Sequence, residues 1–146
     1  MNRLLQSSRI AISVIVACTA VLGAGCSGMP VGGGTKVTLG GAQEVPPVST
    51  SASGSGTITI GMDKSVSGSV TTSGVAGVAA HIHEGPSGKN GPVIVPMAKT
   101  ADNVWSIPAG ARLTDAQYES YKAGNLYVNV HSAANKGGEI RGQLQP

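Results

Sequence analysis

The chain has 146 residues, with 22 glycines, 10 Lys and Arg against 7 Asp and Glu, and no Phe. Only 12% of the residues are charged and 40% are hydrophobic, which excludes a charge-rich disordered chain and fits one ordinary domain. Without Arg3 and Arg9 of the N-terminal segment, 8 basic residues face 7 acidic ones, so the net charge drops from +3 to +1. No cluster of cations remains, and nucleic acid is not an expected partner.

The first 25 residues are typical of an export signal. Arg3 and Arg9 supply the charged start, and residues 10–22 form an apolar run that is too short to span a membrane. Small residues then precede Cys26, and this junction resembles the bacterial lipobox, in which the cysteine after the cleavage site is lipidated. Cys18 also fits the lipobox pattern, but with a shorter apolar core. An ordinary secretory signal is the alternative interpretation.

These features predict an exported protein that is anchored to the cell membrane through lipid on Cys26. If the host has two membranes, the expected location is the periplasm or the outer membrane. Residues 26–35 are rich in glycine and predict a flexible linker, which leaves one domain over residues 36–146. No protein partner is indicated by the sequence.

Short segments that alternate apolar and polar residues follow one another along this domain, separated by turn residues. This pattern predicts an all-β protein, an antiparallel Greek-key sandwich or barrel. The segments span residues 54–60, 66–70, 75–83, 92–97, 103–107, 126–131 and 139–144.

One short helix interrupts the strands. Thr114 followed by Gln117 predicts a capping box, Asp115 favours the positive end of the helix dipole, and Gly124 is placed to end the helix. We expect this helix to connect two strands. The single tryptophan, Trp105, is expected in the core because no Phe is available to fill it.

The three histidines carry the most recognisable chemistry in the sequence. His81 and His83 are separated by one residue, so on a strand their side chains point to the same face. In the segment 126–131 the apolar residues are at positions 126, 128 and 130, so His131 lies on the other, polar face of that strand. If these strands are neighbours, three neutral imidazoles converge outside the core, and such a set suits copper or zinc.

Other interpretations of the histidines stay open at this point. All three can be ordinary surface or hydrogen-bonding residues. Met97 is a candidate thioether ligand, and Glu84 is a candidate acceptor for an imidazole N–H. The sequence contains no P-loop, GxSxG, HExxH or CxxC motif.

Six segments appear in a characteristic order, at residues 39–48, 80–85, 91–95, 113–117, 127–132 and 138–144. Together they resemble the CHRD domain, a module named after chordin and found widely in exported bacterial proteins. The resemblance covers about residues 37–144. The family has no generally established activity, so the resemblance implies a fold and an exported setting without implying a reaction.

A second resemblance concerns the histidines. Residues 66–70, 79–85, 128–131 and 138–142 are similar to the copper-binding region of Cu/Zn superoxide dismutases. This similarity implies that His81, His83 and His131 are copper ligands on a Greek-key barrel. Those enzymes also have a bridging histidine and further zinc ligands, whereas no histidine lies between His83 and His131, and Arg141 lies in a different context from their catalytic arginine.

The sequence therefore predicts an exported metal-binding protein that handles copper, with zinc as the alternative, outside the cytoplasm. An enzyme is not expected. Two other functions remain possible: a non-catalytic module that binds a protein or glycan, and a copper-only enzyme similar to superoxide dismutases.

Overall fold

The structure is a computed structural model, and it describes residues 33–146. The predicted signal peptide and Cys26 lie outside the described residues. The elements are β1 (Thr35–Gly40), β2 (Ser53–Ile60), β3 (Val66–Ser73), β4 (Gly77–Glu84), β5 (Val93–Ala101), β6 (Val104–Ser106), α1 (Asp115–Lys122), β7 (Leu126–Ser132) and β8 (Ile140–Leu144). A single 3-10 turn, Gly41–Gln43, follows β1.

The eight strands form one closed antiparallel barrel in the order β1-β2-β3-β6-β5-β4-β7-β8. β4, β5 and β6 are consecutive neighbours, and the chain then returns through α1 so that β7 lies beside β4. This is a Greek-key arrangement. It confirms the predicted all-β antiparallel fold with one short helix, and it brings together the two strands that carry the three histidines.

β1 is a strand that the alternation pattern does not predict. It begins at Thr35, which is the last residue of the predicted linker. Val37 and Leu39 point into the barrel and are buried. β1 pairs with β2 along its whole length and meets β8 where Gly40 lies opposite Arg141. These long-range pairings, which close the barrel, make the segment a strand.

Inward-pointing side chains from all eight strands form one hydrophobic core. Trp105 of β6 is 4% exposed and packs within it, as predicted. Burying one Val, Leu or Ile side chain in such a core contributes about 1.5–3 kcal/mol to the stability of the fold. Because side chains alternate along each strand, the outward positions of the same strands are available for a polar site.

α1 confirms the predicted helix. The hydroxyl of Thr114 accepts a hydrogen bond from the backbone N–H of Gln117, and the Gln117 side chain accepts one from the backbone N–H of Thr114. Tyr121 is buried against the barrel. Among residues 33–146, no helix is long and apolar enough to cross a membrane.

Candidate metal centre

The pairing of β4 with β7 sets the position of each histidine. In this antiparallel register His81 lies opposite Asn129, His83 lies opposite Tyr127, and His131 lies opposite Ala79. His131 is therefore one row away from His81 on the outward face. The two strands are far apart in sequence, and only their pairing in the barrel brings the three rings together.

The three imidazoles converge as the sequence predicts. Their ring centroids are 5.0 Å apart for His81 and His131, 5.6 Å for His81 and His83, and 5.7 Å for His83 and His131. One nitrogen from each ring can be chosen so that all three lie within 4.8 Å of one another. His83 and His131 are buried, and His81 is half-buried at the open side of the group.

Backbone carbonyls fix which nitrogens face the centre. Nδ1 of His83 lies 2.9 Å from the carbonyl oxygen of Gly91, and Nδ1 of His131 lies 3.0 Å from that of Lys136. A carbonyl only accepts, so each Nδ1 carries the proton and each Nε2 keeps a free lone pair. Nε2 of His83 is buried and has no hydrogen-bond partner. Such an unpartnered buried nitrogen fits a metal ligand.

His81 completes the set through its Nδ1, which lies 3.1 Å from Nε2 of His131. Since Nε2 of His131 has no proton, His81 donates this hydrogen bond. A metal ion would replace the bond, and His81 would then carry its proton on Nε2. The candidate donors are therefore Nδ1 of His81 and Nε2 of His83 and His131, and a backbone carbonyl orients each of the two buried rings, as is usual for metal-binding histidines.

Burial favours the neutral form of these rings. It is the main reason that the pKa of each of the three histidines lies below its ordinary value of 6.5. The neighbouring rings add to this effect at His81, because two protonated imidazoles would repel each other. The hydrogen bonds to the carbonyls of Gly91 and Lys136 act in the opposite direction, but they are the smaller effect. Neutral imidazole is the form that binds metal.

A stack of side chains supports His83. Its ring packs on Tyr127 at a centroid distance of 4.9 Å and an angle of 12°. The guanidinium carbon of Arg141 lies 3.5 Å from the centroid of the same tyrosine ring. Because β7 lies between β4 and β8, Tyr127 sits between His83 and Arg141. The Tyr127 hydroxyl also accepts a hydrogen bond from the N–H of Gly91.

Arg141 holds the loop of residues 85–91, which follows the His81–His83 pair. Its guanidinium donates to the carbonyl oxygens of Lys89 and Pro86, at 2.9 and 3.0 Å. Asn90 in the same loop donates to the carbonyl oxygen of Val45. The loop is thereby fastened at several points, and its last residue, Gly91, is held where its carbonyl orients His83.

Besides the histidines, a buried carboxyl group, that of Glu44, contacts Asn129 of β7. Glu44 is 4% exposed, and its Oε2 accepts a hydrogen bond of 3.4 Å from the side-chain amide of Asn129. Burial raises the pKa of Glu44 to about 7, although the charge of Arg141 and the bond from Asn129 oppose this shift. Oε1 of Glu44 and Oδ1 of Asn129 have no partner.

The two accessory residues suggested by the sequence, Met97 and Glu84, do not lie at the site in the structure. Met97 is 7% exposed and lies in the hydrophobic core, opposite Ala80 in the strand register, so its sulfur is on the wrong side of β4 and β5 to reach the histidines. Glu84 accepts a hydrogen bond from the hydroxyl of Ser120 in α1 instead of an imidazole N–H.

Sequence reasoning missed the groups that orient the histidines. The carbonyls of Gly91 and Lys136 carry no side-chain signal, because any residue has a carbonyl. Arg141 and Glu44 carried a partial signal: both fall in segments that resemble the CHRD domain. Their burial beside the site depends on pairings between strands that are distant in sequence.

Fold and site together define a Greek-key β barrel with three converging histidines that could hold a metal ion. A family model described as the CHRD domain matches residues 35–144, well over half of the chain. The chain therefore belongs to the CHRD domain family, as its sequence motifs predict. No curated protein and no solved structure gives a significant match. The similarity to Cu/Zn superoxide dismutases is not confirmed by these comparisons.

Proposed function

We propose that His81, His83 and His131 bind one copper ion, with zinc as the alternative, and that the protein sequesters or delivers this metal outside the cytoplasm. The observation that carries the proposal is the convergence of three neutral nitrogens, one of which, Nε2 of His83, is buried without a partner. Leaving such a group unsatisfied costs about 1–3 kcal/mol, and coordination of a metal removes that cost.

Copper is preferred on chemical grounds. Imidazole nitrogen suits both copper and zinc, and nitrogen sites generally bind Cu(II) more tightly than Zn(II). Three protein ligands would leave a bound ion with room for a further ligand, and His81 is only half-buried. An ion held in this way is accessible from one side, which suits uptake and release.

Binding without catalysis is the simplest role for this site. Arg141 is only 1% exposed, and its hydrogen bonds go to backbone carbonyls of the 85–91 loop and to Gln143. It is therefore not free to contact a substrate at the open side of the histidines. Among residues 33–146, a second group of metal ligands is not found. Both observations support metal handling over an activity similar to that of superoxide dismutases.

Attachment to the membrane is a further part of the proposal. The sequence suggests lipid on Cys26, followed by a short glycine-rich linker. Several lipid chains anchor a protein firmly, so the metal site would work close to a membrane surface. Metabolic labelling with radioactive palmitate tests the anchor, and unlabelled protein in the culture supernatant would contradict it.

The proposal is tested by titrating the purified protein with copper and with zinc while recording imidazole NMR signals. We expect one ion to bind per chain and all three histidine rings to shift or broaden together. Binding that leaves the three rings unperturbed, or the absence of binding, would overturn the proposal.

Metal affinity is expected to be constant above about pH 7 and to fall on acidification. Protons compete with the metal only below the pKa of the ligands, and burial places all three pKa values below 6.5. The loss should therefore begin at a lower pH than in a site of exposed histidines. Dissociation constants measured at intervals from about pH 8 to about pH 5 check this prediction. A loss of affinity that already appears between the two highest pH values would contradict it.

A further inference from the structure

We infer that the three-histidine site selects monovalent copper, Cu(I), over the divalent ions Cu(II) and Zn(II), and that Arg141 is the residue that strengthens this preference. The inference rests on the proposed function and specifies the charge of the ion that this site takes. It follows from the charges around the site and from the number of ligands.

The ligands bring no negative charge to the ion. All three donors are neutral imidazole nitrogens. The two outer N–H groups that the structure fixes, those of His83 and His131, donate to uncharged carbonyl oxygens. A carboxylate in either position would make the imidazole a stronger donor and offset part of the ionic charge. A divalent ion would therefore keep its double charge in a half-buried environment. The free-energy cost of removing an ion from water rises with its charge, so this cost is larger for a divalent ion than for Cu(I).

Arg141 adds a positive charge behind His83. Within the part of the chain that the structure describes, this guanidinium forms no ion pair. It packs on one side of Tyr127 while His83 packs on the other. An unpaired positive charge this close to the site repels a divalent ion more strongly than a monovalent one.

Nearby carboxyl groups compensate this charge only in part. Glu44 is the acid that interacts most clearly with Arg141, and burial raises its pKa to about 7, so near neutral pH much of it is uncharged. Glu84 bonds to Ser120, and Glu139 accepts a hydrogen bond from Thr50. Both acids are engaged by hydroxyl groups, and neither belongs to the group of three histidines.

The number of ligands favours the same ion. Cu(I) is stable with three nitrogen donors, whereas Cu(II) prefers a tetragonal set and Zn(II) prefers four ligands. Among residues 33–146, no carboxylate, thiolate or further imidazole joins the group of His81, His83 and His131. A divalent ion would have to complete its shell with water at the open side.

The experiment compares Cu(I) and Cu(II) affinities of the purified protein by competition with chromophoric chelators, the Cu(I) series being run anaerobically with a reductant. The wild-type protein should bind Cu(I) more tightly. Arg141→Gln removes the charge, and the ratio of the Cu(II) to the Cu(I) dissociation constant should fall by about tenfold, as expected for one unit charge on the order of 10 Å away. Arg141→Lys keeps the charge and should keep the ratio within about threefold of wild type.

Glu44→Gln provides a second variant in case Arg141→Gln does not fold. At about pH 8, above the Glu44 pKa, this change removes a negative charge and should raise the same ratio severalfold. Tighter binding of Cu(II) than of Cu(I) by the wild type, or an unchanged ratio in the folded variant, would overturn the inference and leave metal binding intact. Failure to bind either ion would instead overturn the proposed function.

Discussion

Replacing His81 and His83 together by alanine is expected to weaken copper binding by more than about a hundredfold. Loss of a residue that only orients a ligand typically costs about 10–100-fold in metal affinity, and this double variant removes two of the three donor nitrogens themselves. A single imidazole, His131, would remain, and one protein ligand alone holds a metal ion only weakly. Competition titration with a chelator of known affinity measures the loss.

Met97→Leu is the matched control for this double variant. The Met97 thioether is a chemically suitable copper ligand, but Met97 lies in the core on the opposite face of the sheet. The change conserves volume and should cost less than about 1.5 kcal/mol of stability, with copper affinity unchanged. Unaltered copper affinity in the double histidine variant would show that the metal binds elsewhere.

Gly91→Ala is expected to reduce both metal affinity and stability, although residue 91 has no side chain at the site. A Cβ at this position would overlap the backbone oxygen and carbon of Glu84, so the 85–91 loop must shift. The shift would move the carbonyl that orients His83 and the N–H that bonds to Tyr127. We expect about 1–3 kcal/mol lower stability and about 10–100-fold weaker metal binding.

Gly137→Ala is the comparison for this variant. Gly137 lies next to Lys136, whose carbonyl orients His131, but a Cβ there would meet no atom within 4 Å. The stability and metal affinity of the Gly137→Ala variant should stay close to those of the wild type. Thermal unfolding of the metal-free proteins and chelator competition separate the two effects. If Gly91→Ala retains wild-type affinity, the Gly91 carbonyl does not position His83.

The sequence predicted the strands that carry a clear alternation, but it missed β1, which follows a glycine-rich stretch. β4 and β7 have regular alternation, which is why the outward direction of His81, His83 and His131 was predictable. β1 has only two inward residues, Val37 and Leu39, between stretches of glycine. Glycine-rich flanks are typical of a flexible linker, and pairing with β2 and β8 is what makes this segment a strand.

The residues around the three histidines also show the difference between what local sequence predicts and what long-range contacts decide. Met97 was a candidate because of its thioether, and Glu84 because it directly follows His83. Strand alternation places Met97 in the core, and Glu84 bonds to Ser120 instead. Gly91 and Arg141 became important only through contacts with partners on other strands and loops. Proximity along the chain is a poor guide in a barrel whose neighbouring strands are distant in sequence.

By itself, the sequence determined the all-β class, the family, the capped helix and the common face of the His81–His83 pair, because each depends on local periodicity or on short motifs. Only the tertiary structure decided that β7 lies beside β4, that two carbonyls fix the donor nitrogens, and that Arg141 and Glu44 are buried near them. The physical reason is that local spacing sets where a side chain points, whereas long-range strand pairing and burial set what it meets and which charge it carries.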